Sequence, residues 1–336
     1  MKTVFAYASV LKEKKGGYFT PYTYYKFLHP VMEWVNILKA DCVGNSIYCK
    51  QVKWDDYDLA MVFAQSDSTG SAHYLRSIAP HLKIITLPEP PPTWYISQTR
   101  WGWATRMLDD FNSSDLVIIG QNFGGLLQKF QATFPNVNNI HFIPLPFNIR
   151  EYGKYINWDD RHNIIAITCH CNYLESSIRS WKVLQDAIIH FKGRWRTRVF
   201  YGEPSQWSSG TPRPEVMPFI WDTDEHIKRM NQCKILVDDN ISPSSGHMVV
   251  EMASLHIPSV GSNDYIHHIF PEFCAPYDNH VKRHLGGEQM VDNVIRLAND
   301  ESFYKQTVGA SIKRLHDYCG YKICRNKLME LLRTLD

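Results

Sequence analysis

The chain has no run of about 18 apolar residues, the length a helix needs to span a bilayer, and this excludes a transmembrane helix. No secretory leader is expected from the first residues either. In MKTVFAYASVLKEKKGG the apolar stretch precedes the lysines, the reverse of a signal peptide, and it fits a buried first strand better. No CxxC pair occurs. The eight cysteines, Cys42, Cys49, Cys169, Cys171, Cys233, Cys274, Cys319 and Cys324, are scattered, several within expected strands or helices. That scatter points to reduced, intracellular thiols and a cytoplasmic protein rather than a disulfide framework. Charge of one sign is also lacking. The net charge of +2 argues neither for nor against a polyanionic partner.

What is present suffices for two cores. A length of 336 residues with 44% hydrophobic side chains predicts two domains of ordinary size. Strands are expected at residues 3–9, 46–52, 57–64, 82–87, 115–120 and 139–145, with helices over 20–38, 71–79 and 121–130. The pattern restarts with strands at 163–168, 197–202, 217–220, 234–238 and 257–260. Helices over 178–191, 225–232, 247–255, 288–299, 302–319 and 325–334 accompany them. Alternating strands and helices predict an α/β chain with a doubly wound parallel sheet in each half.

The segment 234–265, KILVDDNISPSSGHMVVEMASLHIPSVGSNDY, is the richest in chemistry. It reads as strand, loop, helix, strand, with a turn at Asn263-Asp264-Tyr265. Ser244 or Ser245 can cap the helix, and Gly246 lets the backbone come close to a ligand. Open amides at Gly246, His247 and Met248, at the positive end of the helix dipole, make an anion site. One turn on stands Glu251, a lone carboxylate among Met248, Val249, Val250, Met252, Ala253 and Leu255. It can accept hydrogen bonds from sugar hydroxyls while the amides hold phosphate. The plainer reading is a capped crossover helix with Glu251 on its solvent edge.

Other clusters read two ways. Cys169-His170-Cys171 suggests a metal, but alternation at a strand end points successive side chains apart. Asp222-Thr223-Asp224 has the DxD form of a metal site and also stands where a helix cap belongs, and the cap is the preferred reading. Trp94, Tyr95, Arg100, Trp101, Trp103 and Arg106 can stack on sugars or bases, or pack as the inner face of a helix.

The 234–265 stretch resembles the signature of retaining GT-B glycosyltransferases of the family-4 type. There a Pro-Ser loop and a Gly lead into a Glu-Ala-Met-Ala helix, a small-residue turn and a Pro-Val-Val-Ala strand. Here the helix reads Glu251-Met252-Ala253-Ser254 and the strand Ile257-Pro258-Ser259-Val260. The family usually has a second Glu eight residues before the helix Glu, and Pro243 stands at that position. The segment NNIHFIPLPFN, residues 138–148, is similar to the family's crossing out of its first domain.

The resemblance implies a GT-B architecture, two Rossmann-like domains whose parallel sheets face a central cleft. Residues 1–148 would form the acceptor-side domain and 149–318 the nucleotide-sugar-binding domain. Residues 319–336 would be a C-terminal helix returning to the first domain. It implies a glycosyltransferase moving a hexose or pentose from a nucleotide-sugar to an unidentified acceptor, with retention and without a metal. No cofactor is implied, since the nucleotide-sugar is a substrate.

Arg179 and Lys182 follow the first strand of the second half, where the family holds the donor diphosphate with basic residues; as plain sequence they are solvated helix charges. Glu89, in EPPPTW, occupies the region where the family often has a His near the acceptor, and joins them as a candidate catalytic residue. The donor-binding candidates are Ser245, Gly246, His247, Met248, Glu251, His170, Ile220 and Asn263. Gly16 and Gly17 match the glycine-bearing loop after the family's first strand. Rival readings are a nucleotide-sugar epimerase, or a catalytically inactive nucleotide-sugar-binding protein of the same fold. For the acceptor, a nucleic acid is a further reading, as in enzymes that glycosylate modified DNA bases.

Overall fold

The computed structural model describes residues 1–7, 18–19, 33–43, 52–64, 70–88, 101–120, 126–168, 183, 185–200, 214–217, 222–238, 247–274 and 282–335. The chain divides into two compact units. The first holds Met1–Phe147 with Tyr321–Asp336, and the second holds Asn148–Gly320.

The first unit is built on seven strands: β1 (Thr3–Tyr7), β2 (Tyr18–Phe19), β3 (Asp41–Val43), β4 (Leu59–Ala64), β5 (Lys83–Pro88), β6 (Leu116–Ile119) and β7 (Ile140–Phe142). Their order is β2-β3-β1-β4-β5-β6-β7, parallel throughout except for β2, which runs antiparallel to β3. Its helices are α1 (Glu33–Leu38), α2 (Ser71–Ile78), α3 (Trp101–Ser113) and α4 (Leu126–Thr133).

All six residues of β4 are buried, as a strand covered on both faces requires. The two-residue period of the strand sends Leu59, Met61 and Phe63 into one core and Ala60 and Val62 into the other. The first core also takes Trp34 of α1, and the second takes Ala72 and Leu75 of α2. The N-terminus of α2 is closed from α3. The buried Asp110 carboxylate accepts the N–H groups of Gly70 at 2.7 Å, Ala72 at 2.8 Å and His73 at 3.1 Å.

The second unit opens with α5 (Ile149–Gly153) and holds five parallel strands, β8 (Ile164–Thr168), β9 (Arg196–Phe200), β10 (Glu215–Met217), β11 (Ile235–Asp238) and β12 (Ser259–Gly261). Their order is β10-β9-β8-β11-β12. The chain therefore works outward from β8 in one direction, then restarts beside it with β11. Such a reversal is the place where an open α/β sheet leaves a crevice at its carboxyl ends. The helices are α6 (residues 185–191), α7 (Thr223–Asn231), α8 (His247–Ser254), α9 (Asp264–Ile269), α10 (Lys282–Asn299) and α11 (Glu301–Cys319).

The last helix, α12 (Tyr321–Arg333), belongs to the first unit. The Tyr321 hydroxyl donates to Glu33 of α1, and the Cys324 thiol meets the Pro144 carbonyl at 3.3 Å. Cys324, Leu328 and Leu332 are buried in the same core as Phe5 and Phe63.

Two expectations change. The strand expected at 46–52 lies outside the described residues except for Val52, and the short β3 at Asp41–Val43, which follows Lys39 with its left-handed φ of 52°, is an element that no sequence signal announces. The strand placed at 217–220 is seen at Glu215–Met217, with 218–220 outside the described residues. The turn read at Asn263-Asp264-Tyr265 is the start of α9: the Asn263 Oδ1 accepts the Ile266 N–H at 2.9 Å and so caps a helix. No helix among the described residues is long and apolar enough to cross a membrane.

Candidate functional site

Helix α8 is the centre of the second unit. Every residue from Met248 to Leu255 is buried, so the helix is apolar all round except at Glu251 and Ser254. Ser254 turns its hydroxyl back onto the Val250 carbonyl at 2.8 Å. The helix closes with His256 at a left-handed φ of 63°. The His256 N–H reaches the Ala253 carbonyl at 3.0 Å and the Ile257 N–H reaches the Met252 carbonyl at 2.8 Å, the paired bonds of a Schellman ending. Arg161 adds a guanidinium to the same end. It donates to the Leu255 carbonyl, to the His256 carbonyl at 2.9 Å and to the Tyr304 hydroxyl at 3.1 Å, and it lies 3.9 Å from the centre of the Trp158 ring. The carboxyl end of α8 is therefore fixed by side chains from two further elements.

Glu251 is 3% exposed, which corrects the solvent-edge reading. Burial of a carboxylate is unfavourable unless hydrogen bonds replace its water. The Tyr152 hydroxyl of α5 donates to Glu251 Oε1 at 2.9 Å. His226 Nε2 of α7 lies 3.9 Å from Oε2, and the His226 ring stands edge-on to Phe200, the last residue of β9, at 5.8 Å. Helices α5 and α7 thus each bring one side chain to this carboxylate of α8.

A second polar group sits at the carboxyl ends of β11 and β12. Asp238, the last residue of β11, pairs in register with Gly261 and is buried. Asn263 Nδ2 donates to Asp238 Oδ2 at 2.9 Å while its Oδ1 caps α9. Asp264 is also buried: Tyr318 Oη donates to Oδ2 at 2.5 Å, and His268 Nε2 lies 3.5 Å from Oδ1. Burial first, and then the Asp264 charge, push the Tyr318 phenol far above its ordinary range.

Of the candidate residues, Glu251, Met248 and Asn263 are described with their side chains, and all three are buried in the second unit. His247 is the first residue of α8, described by its backbone. Gly16, Gly17, Glu89, His170, Arg179, Lys182, Ile220, Ser245 and Gly246 lie outside the described residues. The DxD segment behaves as a cap: Asp222 Oδ1 accepts the Glu225 N–H at 2.9 Å, and Asp224 accepts the Tyr155 hydroxyl at 2.5 Å. No group of metal-ligating side chains forms among the described residues. Tyr152 and His226 were not legible as site residues, since neither stands in a motif and their partner is distant in sequence.

No protein-family model and no curated protein sequence matches the chain. Solved structures do match by fold. An alpha-glucosyltransferase in complex with UDP and a DNA containing an HMU base aligns over 99% of both chains, with TM-score 0.62 and 10% identity. A glycosyltransferase from Rickettsia africae aligns over 90% of this chain and 87% of its own, with TM-score 0.58 and 13% identity. A UDP-forming alpha,alpha-trehalose-phosphate synthase from Burkholderia xenovorans aligns over 84% of this chain and 75% of its own, with TM-score 0.63 and 10% identity.

Proposed function

We infer that this chain, which has the GT-B fold, is a glycosyltransferase that takes its sugar from a nucleotide-activated donor. The observation that carries the reading is the buried carboxylate of Glu251, on the short helix between β11 and β12, in a fold shared with UDP-bound and UDP-forming sugar transferases. In this reading the amides at Gly246, His247 and Met248 hold the donor diphosphate. They stabilise the negative charge that gathers as the glycosidic bond breaks, together with Arg179 and Lys182. Glu251 binds the ribose hydroxyls. The diphosphate held in this way requires no metal, and the transfer of a hexose or pentose proceeds with retention of configuration. The protein works in the cytoplasm, where the buried thiols of Cys42, Cys233 and Cys324 stay protonated and inert, since burial pushes each up to about 12.

The test is a thermal-shift and hydrolysis screen against UDP-, GDP-, ADP- and CMP-sugars, since a ligand bound only by the folded state raises the melting point. One donor should raise it and release its nucleoside diphosphate slowly. A flat screen with no turnover leaves an inactive relative or another activity.

A second reading concerns the acceptor. The structure solved with modified-base DNA matches this chain end to end, whereas the trehalose-phosphate synthase extends beyond it. We propose hydroxylated DNA bases as the acceptor class to be tried first. DNA binding should weaken steeply as salt rises, and a small or lipid-linked acceptor should show a shallow trend.

A further inference from the structure

Tyr152 and Glu251 stand 99 positions apart in the chain and meet at 2.9 Å. Both are buried, Tyr152 at 1% exposure and Glu251 at 3%. Tyr152 lies on α5, the first helix of the second unit, and α5 packs directly on α8. The contact singles out one oxygen. Oε1 receives the phenol, while Oε2 faces the His226 imidazole at 3.9 Å. A free carboxylate on a helix rotates about its last torsion with little preference. One bound to a buried phenol on a neighbouring helix does not. A carboxylate offers about four lone-pair directions and the phenol occupies one, so the remaining directions are fixed in space before any ligand arrives.

We propose that Tyr152 is a positioning residue for nucleotide binding: its hydroxyl sets the rotation of the Glu251 carboxylate so that the remaining lone pairs meet the two ribose hydroxyls. This rests on the nucleotide-sugar reading above. Tyr152 itself touches no substrate in this scheme and acts only through Glu251. Pre-orientation of that kind raises affinity by removing the need to order the acceptor during binding.

The experiment compares UDP, GDP and ADP with their 2′,3′-dideoxy counterparts, by calorimetry, on the full chain and on Tyr152→Phe, Glu251→Gln and the double variant. The phenylalanine variant loses one oxygen and keeps the ring. The glutamine variant keeps an acceptor oxygen for Tyr152. Apo melting curves of each variant establish that it is folded.

The preferred ribonucleotide should bind Tyr152→Phe about five- to tenfold more weakly, the size of one lost hydrogen bond, and its dideoxy counterpart should bind both proteins alike. Adding Tyr152→Phe to Glu251→Gln should have a smaller effect than adding it to the natural chain. A merely structural role predicts equal losses for the ribo and dideoxy forms, and that result overturns the proposal. So does unchanged ribonucleotide affinity, and so do additive effects in the double variant. Failure of the natural chain to bind any of the nucleotides is a different outcome: it removes the functional reading itself, and the proposal with it.

Discussion

Arg161 holds the carbonyl of His256, the residue that ends α8, at 2.9 Å, and the same guanidinium also takes the Leu255 carbonyl. The helix that carries Glu251 is thus anchored at the end away from its amino-terminal turn.

Replacing Arg161 by Ala should lower the unfolding free energy by about 2–4 kcal/mol, because the carbonyls at a buried helix end lose charged donors. Arg161→Lys should recover little of this, since one ammonium does not reproduce a planar fork that also lies on the Trp158 ring. Urea titrations of both variants read the effect directly. A loss below a few tenths of a kcal/mol for the alanine variant would sink the anchoring role.

Asp110 gives a pH dependence with a definite sign. Burial pushes its carboxyl up from 3.8 to about 6, against the pull of the Gly70, His73 and Ala72 N–H groups. The unfolded carboxyl ionises first as pH rises. Its contribution to stability is therefore whole below about pH 4 and is lost as pH rises through about 6. The total is about 3 kcal/mol. Unfolding free energies of the natural chain and Asp110→Asn, compared from pH 4 to pH 7, should diverge in slope. Parallel curves would remove Asp110 as the source.

Gly320 joins α11 to α12, and it is required there for space. A Cβ at this position would lie 2.5 Å from the His316 carbonyl oxygen, the same oxygen that accepts the Gly320 N–H at 3.2 Å. Backbone atoms yield poorly, so Gly320→Ala should destabilise by about 1–3 kcal/mol, the usual range for overpacking. Differential scanning calorimetry should show the melting point of the variant reduced; an unchanged trace contradicts the clash.

At the candidate site, Glu251→Ala should weaken nucleotide binding by about 1–3 kcal/mol, as expected for lost hydrogen bonds to a bound ligand. Arg179→Ala and Lys182→Ala should weaken diphosphates more than nucleosides. Isothermal titration with a nucleoside and its diphosphate separates the two effects, and equal losses for both ligands count against a phosphate role.

Much of the fold was readable because buried parallel strands advertise themselves. Residues 59–64 and 235–238 are unbroken apolar runs or nearly so, and the structure places β4 and β11 there. The α8 helix was legible from its flanking loop and strand. Short elements were not. β3 has three residues, and the left-handed Lys39 before it carries no glycine or asparagine signal. Asn263-Asp264 reads as a turn because Asn and Asp favour turns and helix caps for the same reason, a side-chain oxygen that reaches a nearby N–H. The surroundings of Glu251 were illegible for another reason. A local pattern names the carboxylate, but its partners on α5 and α7 are brought in by packing across the unit, and no spacing rule encodes that.

The placement of α12 has a consequence for synthesis. Phe5 and Phe63 are made early, yet the core they enter also needs Leu328 and Leu332 from the far end of the chain. On the ribosome the first unit begun is the last that can be closed, and the second is complete before it. Until α12 has been made, that open apolar face is exposed to chaperones and to aggregation, and a truncation before Leu328 would leave it so permanently.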